Sequence, residues 1–248
     1  MIHSFQALPA VTLAQRRTSA TARRASLLAL AVGLAISAGA QAVNTVRIGD
    51  GDWYNASLWS AGVPNDTNSD NYAYIDGHTV NLATADTKSW HVYLGTSADA
   101  VFGISGVGGL TTATATLGVN AGHKGIAIVQ GTDASWKINY DIGVGHNGSG
   151  ELSVLGGAYL YTKNAWVGSM AGSDGFVMTD GAGSLWDADA IYIGNAGTGR
   201  VQISNGGKVN SNRTLIGSAA NSNGLLQVAQ GGSQLTTGSL GVGVHGQG

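Results

Sequence analysis

The stretch 181-GAGSLWDADAIYIGNAGTGRVQISNGGKV-209 carries seven glycines among its 29 residues, yet apolar pairs such as Val201-Gln202-Ile203 survive between them. Glycine at this density marks either low-complexity coil or backbone that turns sharply and often, and an apolar pattern persists only in the second. The glycines here therefore read as corners between short strands.

Working outward from this stretch, the cadence repeats. An apolar residue followed by glycine recurs at Leu94-Gly95, Leu117-Gly118, Ile142-Gly143, Val167-Gly168, Ile193-Gly194, Ile216-Gly217 and Leu240-Gly241, a period of about 24 residues. A second track, apolar-x-apolar, keeps the same phase at Ile126/Ile128, Leu152/Val154, Phe176/Met178, Val201/Ile203 and Leu226/Val228. A third follows each glycine-rich corner at Leu110, Trp136, Leu160, Trp186, Val209 and Leu235. Three short apolar segments per period predict an all-β chain, a parallel β-solenoid of about 24 residues per coil with three short strands in each. Alternate residues point inward, which assigns Leu152/Val154, Phe176/Met178 and Val201/Ile203 to the core. A leucine-rich repeat shares the period but needs a consensus that never occurs, and helical repeats would show a 3.6-residue period with few glycines.

Composition agrees with a packed fold. The 248 residues are 43% hydrophobic and 10% charged, far from the balance of a disordered chain. Cysteine is absent, so disulfides and thiolate zinc sites are excluded. Four arginines (Arg16, Arg17, Arg23, Arg24) and no acids precede the apolar run Leu27–Ile36, and Ala40-Gln41-Ala42 follows. This is the pattern of a secretory signal peptide over residues 1–42, and the run is too short to span a bilayer. Arg23-Arg24 is a looser match to a twin-arginine signal. Without the four leader arginines, eight basic residues face fourteen acidic ones, a net charge of −6 that argues against a nucleic-acid partner.

The cadence Val177-Met-Thr-Asp-Gly-Ala-Gly-Ser-Leu-Trp186, then Ile191-Tyr-Ile-Gly-Asn-Ala-Gly-Thr-Gly199 and Val201-Gln-Ile-Ser-Asn-Gly-Gly-Lys-Val209, resembles the passenger repeats of Gram-negative autotransporters (type V secretion). The segment 51-GDWYNASLWSAGVPNDTNSDNYAYIDGHTVNL-82, with paired tryptophans and a Val-Pro-Asn turn, is similar to the start of many such passengers. The resemblance implies a right-handed parallel β-helix, with residues 43–90 as its N-terminal lead and 91–248 as its repeats. It also implies export to the cell surface, outer membrane or medium of a Gram-negative bacterium, and a role in adhesion or self-association. Partners would be surface glycans or proteins, or further copies of the chain. The family's C-terminal membrane β-barrel has no counterpart in these repeats, and the last residues, Leu240-Gly-Val-Gly-Val-His-Gly-Gln-Gly248, fall within a coil without a polar cap. The expectation is an incomplete passenger with an open edge.

Apparent chemical motifs read as structure. Gly143-Val-Gly145-His-Asn-Gly148 and Gly241-Val-Gly243-Val-His-Gly246 match G-x-G-x-x-G, but a dinucleotide site needs a helix to follow and Glu151-Leu-Ser-Val154 reads as strand. Asp187 and Asp189, with Asp133 and Asp141 nearby, raise the alternative of a carbohydrate-active β-helix enzyme. The preceding coil has Tyr161 and Lys163 where acids would have to continue, so these aspartates are assigned to solvated faces. His78, His91, His123, His146 and His245 lie near no serine-nucleophile motif, and the one-coil spacing of His123 and His146 is too little to assign a metal. Trp136 and Trp186 are assigned to the core rather than to a sugar platform. The sequence thus designates no catalytic, cofactor-binding or metal residue. It leaves an adhesive passenger as the first reading, with an enzyme or a plain structural stalk as alternatives.

The leader makes a direct prediction. Expressed in a Gram-negative host, the periplasmic product should begin at Val43 on N-terminal sequencing, and an intact Met1 terminus there would rule out the cleavage.

Overall fold

The computed structural model describes residues 44–65, 71–229 and 231–248; the expected signal peptide, 1–42, lies outside them. The described chain is a β-solenoid of about 8 coils. At roughly 4.8 Å per coil this makes a rod near 40 Å long.

Two parallel sheets run the length of the rod. The first comprises β1 (Asn44–Val46), β3 (Tyr72–Ile75), β5 (Asp86–Leu94), β7 (Gly109–Leu117), β9 (Ser135–Val144), β11 (Tyr159–Val167), β13 (Leu185–Ile193) and β15 (Lys208–Ile216). Its last rung is split between β17 (Gln234–Thr237) and β18 (Leu240–Val242), both paired with β15. The second comprises β2 (Gly51–Asp52), β4 (Thr79–Leu82), β6 (Ala100–Ser105), β8 (Lys124–Gln130), β10 (Ser149–Leu155), β12 (Asp174–Asp180), β14 (Thr198–Ser204) and β16 (Asn223–Ala229). Each coil contributes one strand to each sheet, and the core is the single file of side chains between them.

The three apolar segments of the sequence pattern therefore occupy two strands. The first and third tracks share the long strand, which bends where its inward phase slips. In β13, Trp186 and Ala188 face inward, and then Ile191 and Ile193 do. In β11 the same step runs from Leu160 and Thr162 to Ala165 and Val167. A three-residue step in a period of two turns the strand without a loop.

Corner glycines set the stacking. Gly168 has φ +70° and its N–H donates to Val144 O at 2.9 Å; a Cβ there would stand 2.2 Å from Thr198 O in the next coil. The equivalent donations run Gly118 to Leu94, Gly145 to Leu117, Gly194 to Val167, Gly217 to Ile193 and Gly243 to Ile216. This ladder corrects the sequence reading, which placed two corners at Gly143 and Gly241. The true corners are Gly145 and Gly243, two residues later. Their spacings then alternate, 23, 27, 23, 26, 23 and 26 residues from Gly95 to Gly243. The unit of this solenoid is a pair of coils. Long coils open with an eight-residue corner (118–125, 168–175, 217–224) and short coils with a six-residue one (145–150, 194–199, 243–248).

The inward phase also needs one correction. Leu152/Val154 and Val201/Ile203 are buried as expected, but Phe176 and Met178 face outward, and Val177 and Thr179 occupy the core. On the same track Ile126 and Ile128 face outward over buried Ala127 and Val129. Both stretches are apolar on both faces, so hydrophobicity alone leaves the phase open. Glycine settles it. Gly125, Gly150, Gly175 and Gly199 pair in one column, and a Cβ at Gly175 would lie 2.2 Å from Val144 O. A one-residue slip would drive a side chain into that backbone.

The first coils, within 43–90, hold an aromatic plug. Trp53 and Trp59 are buried edge to face at 5.1 Å, Trp59 Nε1 donates to Trp53 O at 2.8 Å, and Phe102 packs against Trp53. At the other end Leu226 and Leu235 are only partly buried, and Leu225, Leu240 and Val242 are exposed.

A carboxylate buried without a partner costs several kcal/mol, whereas one in water costs little. Val177→Asp and Ile203→Asp should each destabilise the rod by about 3–5 kcal/mol in denaturant titration, while Phe176→Asp and Gln202→Asp change it by under about 1 kcal/mol. Equal losses within either pair would reverse the assigned facing.

Candidate binding face

On the outer side of the first sheet, parallel register places like positions one above another, so side chains form ladders along the rod. A column two residues ahead of the corner includes Tyr93, Trp166 and Tyr192, before Gly95, Gly168 and Gly194, and Tyr74, before Asp76 at the same place in its own coil. Tyr74 and Tyr93 stack at 4.8 Å, and Trp166 and Tyr192 at 4.0 Å with ring planes 7° apart. Arg213 donates to the Tyr192 hydroxyl and lies 5.3 Å over its ring. Polar rungs run beside them. Asn164 Nδ2 donates to Asp141 Oδ1 at 2.7 Å, and Asn210 Nδ2 to Asp187 Oδ1 at 2.9 Å. The second sheet carries ion pairs between adjacent coils, Lys124–Glu151 at 2.6 Å and Arg200–Asp174 at 3.1 Å, both half exposed and worth at most about 1 kcal/mol each.

The aspartates singled out in the sequence do not converge. Asp187 stacks in the column of Lys137, Tyr161 and Asn210, while Asp141 lies beneath Asn164 and Ala190, across the bend. Asp189 sits at the bend itself, and Asp133 is exposed in the four-residue corner ahead of Trp136. Trp136 and Trp186 are fully buried, two coils apart, and each indole N–H donates to a threonine of the preceding coil, Thr112 at 3.1 Å and Thr162 at 3.0 Å. The first motif of G-x-G-x-x-G form runs from the end of β9 through a short corner directly into β10, so the element after it is a strand.

The histidines separate by environment. His123 belongs to a long corner and His146 to a short one, so the one-coil spacing does not make them equivalent: Gly148, not His146, packs over His123 O. His78 Nδ1 lies 3.4 Å from Asp50 Oδ1 in a loop. His91, on β5, leans onto the next coil. Its ring stacks on Tyr93 at 3.7 Å, and its two nitrogens meet the hydroxyls of Thr114 and Thr116, the latter at 3.0 Å. Burial lowers its pKa to about 4, so it is neutral at neutral pH. The aromatic column and the role of His91 escaped sequence reasoning. The available signal was the position two residues ahead of each corner glycine, obscured because two corners were placed at Gly143 and Gly241.

No family model, curated protein or solved structure matches this chain.

His91 gives a pH prediction. Unfolded, a histidine takes up a proton near pH 6.5; folded, this one resists protonation down to about 4, so the unfolded state binds more protons between those values. Stability should therefore be full above pH 6.5 and fall by roughly 1–3 kcal/mol as pH drops to 4. Thermal melts of wild type against His91→Gln should show a shallower decline in the variant, and identical pH profiles would remove His91 as the cause.

Proposed function

We propose that this chain is the rod of an exported, autotransporter-type passenger that makes adhesive or self-associating contacts at the surface of a Gram-negative cell. One observation carries the reading: the outer face of the first sheet repeats aromatic and amide–carboxylate rungs in register along successive coils. A ligand or second copy laid along the rod meets several such rungs, with neighbouring coils about 4.8 Å apart, so individually weak contacts add through multivalency. The arginine-rich leader and apolar run support export, and a parallel β-solenoid of about 25 residues per coil is compatible with a passenger. Surface glycans, surface proteins or other copies of the chain are the partners such a face suits.

Flow cytometry of labelled protein on bacterial and host cells, with light scattering of the protein alone, tests the reading. Binding or concentration-dependent association is expected. It should weaken several-fold in Tyr161→Glu/Asp187→Lys, which keeps a compatible pair between adjacent coils while changing what the face presents. A protein that binds no cell and stays monodisperse at high concentration would overturn the proposal. Cleavage of polygalacturonate abolished by Asp187→Asn or Asp189→Asn would replace it with the enzymatic alternative.

A further inference from the structure

One strand glycine has room for a side chain without any neighbour moving. Gly143, inside β9, keeps ordinary strand backbone, and a Cβ there would meet nothing nearer than Ser169 Oγ at 3.5 Å and His146 Nδ1 at 3.6 Å. Every other glycine within a described strand either has positive φ or would bring a Cβ within 3.0 Å of another atom. Glycine inside a strand costs roughly 0.5–1 kcal/mol relative to alanine and often marks a close approach by another group. Here no backbone makes that approach. What the missing side chain leaves is a gap in the aromatic column.

The gap has defined walls. Gly143 pairs with Thr116 on one side and Trp166 on the other. His91, held by Thr114 and Thr116, lies over the Thr116 rung with Tyr93 behind it. Trp166 stacks one face on Tyr192, so its other face looks across the Gly143 rung toward His91. Two rungs separate these walls, roughly 9.6 Å. The groove has a volume of about 400 Å³, within the range of roughly 300–1,000 Å³ typical of small-ligand sites. The His91 ring is held by its two threonines and the Trp166 indole by its stack on Tyr192, while the backbone after Trp166 is tied by Ser169 Oγ, which donates to Trp166 O at 3.1 Å, and by Asn195 Nδ2, which donates to Ser169 O at 3.1 Å.

We propose that this slot binds a single pyranose ring of a saccharide, seated over Gly143 between His91 and Trp166. It rests on reading this face as a binding surface and adds the ligand class and the place. A flat ring midway would stand about 4.8 Å from each wall, beyond the 3.5–4.0 Å of carbon contact, whereas a puckered ring with C–H groups on both faces spans the space. The rim offers hydroxyl partners. Asp141 Oδ1 is taken by Asn164, and its second oxygen has no partner among the described residues; His146 Nδ1 borders the floor. Sugar C–H groups against the indole and hydroxyls toward a carboxylate and an imidazole match that division of apolar wall and polar rim.

Saturation-transfer NMR on the full chain, with the methyl pyranosides of glucose, galactose, mannose and N-acetylglucosamine and with indole as a flat control, tests the site. At least one pyranoside should receive saturation at its ring C–H protons, with Kd on the order of 1 mM. The signal should vanish in Gly143→Val, whose side chain fills the slot, and in Trp166→Ala. Gly143→Val should melt at or above the wild-type temperature while Gly175→Ala melts well below it; should Trp166→Ala fail to fold, Gly143→Val decides. Binding of indole alone, no binding by any pyranoside, retention of binding in Gly143→Val, or a fall in its melting temperature matching that of Gly175→Ala would each overturn the site. Cell binding by a wild type that takes no pyranoside would overturn the slot and leave the adhesive reading standing; pyranoside binding without cell binding would do the reverse.

Discussion

Backbone against backbone at the corners is the contact on which the rest of the structure depends. Each coil must close within about 25 residues and lie flat on its neighbour, and the corner glycine achieves this by a left-handed turn at the point where the next coil passes over it. At Gly168 both demands meet: positive φ, and a carbonyl of the next coil 2.2 Å from where a Cβ would be. Other residues could supply such a φ at some cost, but none can remove its Cβ. Once corner glycines stack, strand register follows, and with register the choice of which face looks inward.

That order of causes explains how much was legible. The all-β class, the parallel stacking and the period were readable because glycine spacing and apolar spacing repeat together. Facing was readable where only one face is apolar, as in Glu151-Leu152-Ser153-Val154, and unreadable in Phe176-Val177-Met178-Thr179, where burying either set looks equally good. The deciding residue there is Gly175, which fits against Gly168 N and Val144 O only in one register. The expected corners at Gly143 and Gly241 failed for a related reason. Apolar-then-glycine occurs twice within four residues at Ile142-Gly143-Val144-Gly145, and only the hydrogen-bond ladder tells which glycine turns. The face was the least legible part. A column across coils joins residues 19 to 27 positions apart, such as Tyr74 with Tyr93 or Gly143 with Thr116, and an error of two residues in the corner dissolves it.

Alternation of long and short coils has consequences inside and out. The long coils carry the extra corner residues and, in β9 and β13, the buried tryptophans, whose indole N–H groups find hydroxyls at Thr112 and Thr162 on the preceding short coils. A large side chain every second coil fits a core that must also admit Leu110 and Leu160 in the same file. Such size alternation couples neighbouring coils, so that exchange of one coil for the next would leave a void or a clash. Outside, the six-residue corner after β9 brings His146 Nδ1 within 3.6 Å of where a Cβ of Gly143 would stand, on the strand it has just left.

A solenoid this regular makes its own exceptions informative. Most of its glycines are demanded by geometry, so they carry no message about ligands, and the two motifs of dinucleotide form dissolve into corners once register is known. Gly143 differs because the same geometry that explains its neighbours does not require it: the corresponding positions hold Tyr93, Thr116, Trp166, Tyr192 and Leu215, all larger and all accommodated, and where glycine recurs in this column, at Gly241, a Cβ would stand 2.8 Å from Leu215 Cδ2. A β-strand gains nothing from glycine in its interior and loses conformational entropy on folding. The compensating feature visible in the structure is the open space between His91 and Trp166. In a fold whose surface is dictated rung by rung, function is most naturally sought where one rung departs from the pattern at a cost the backbone does not explain.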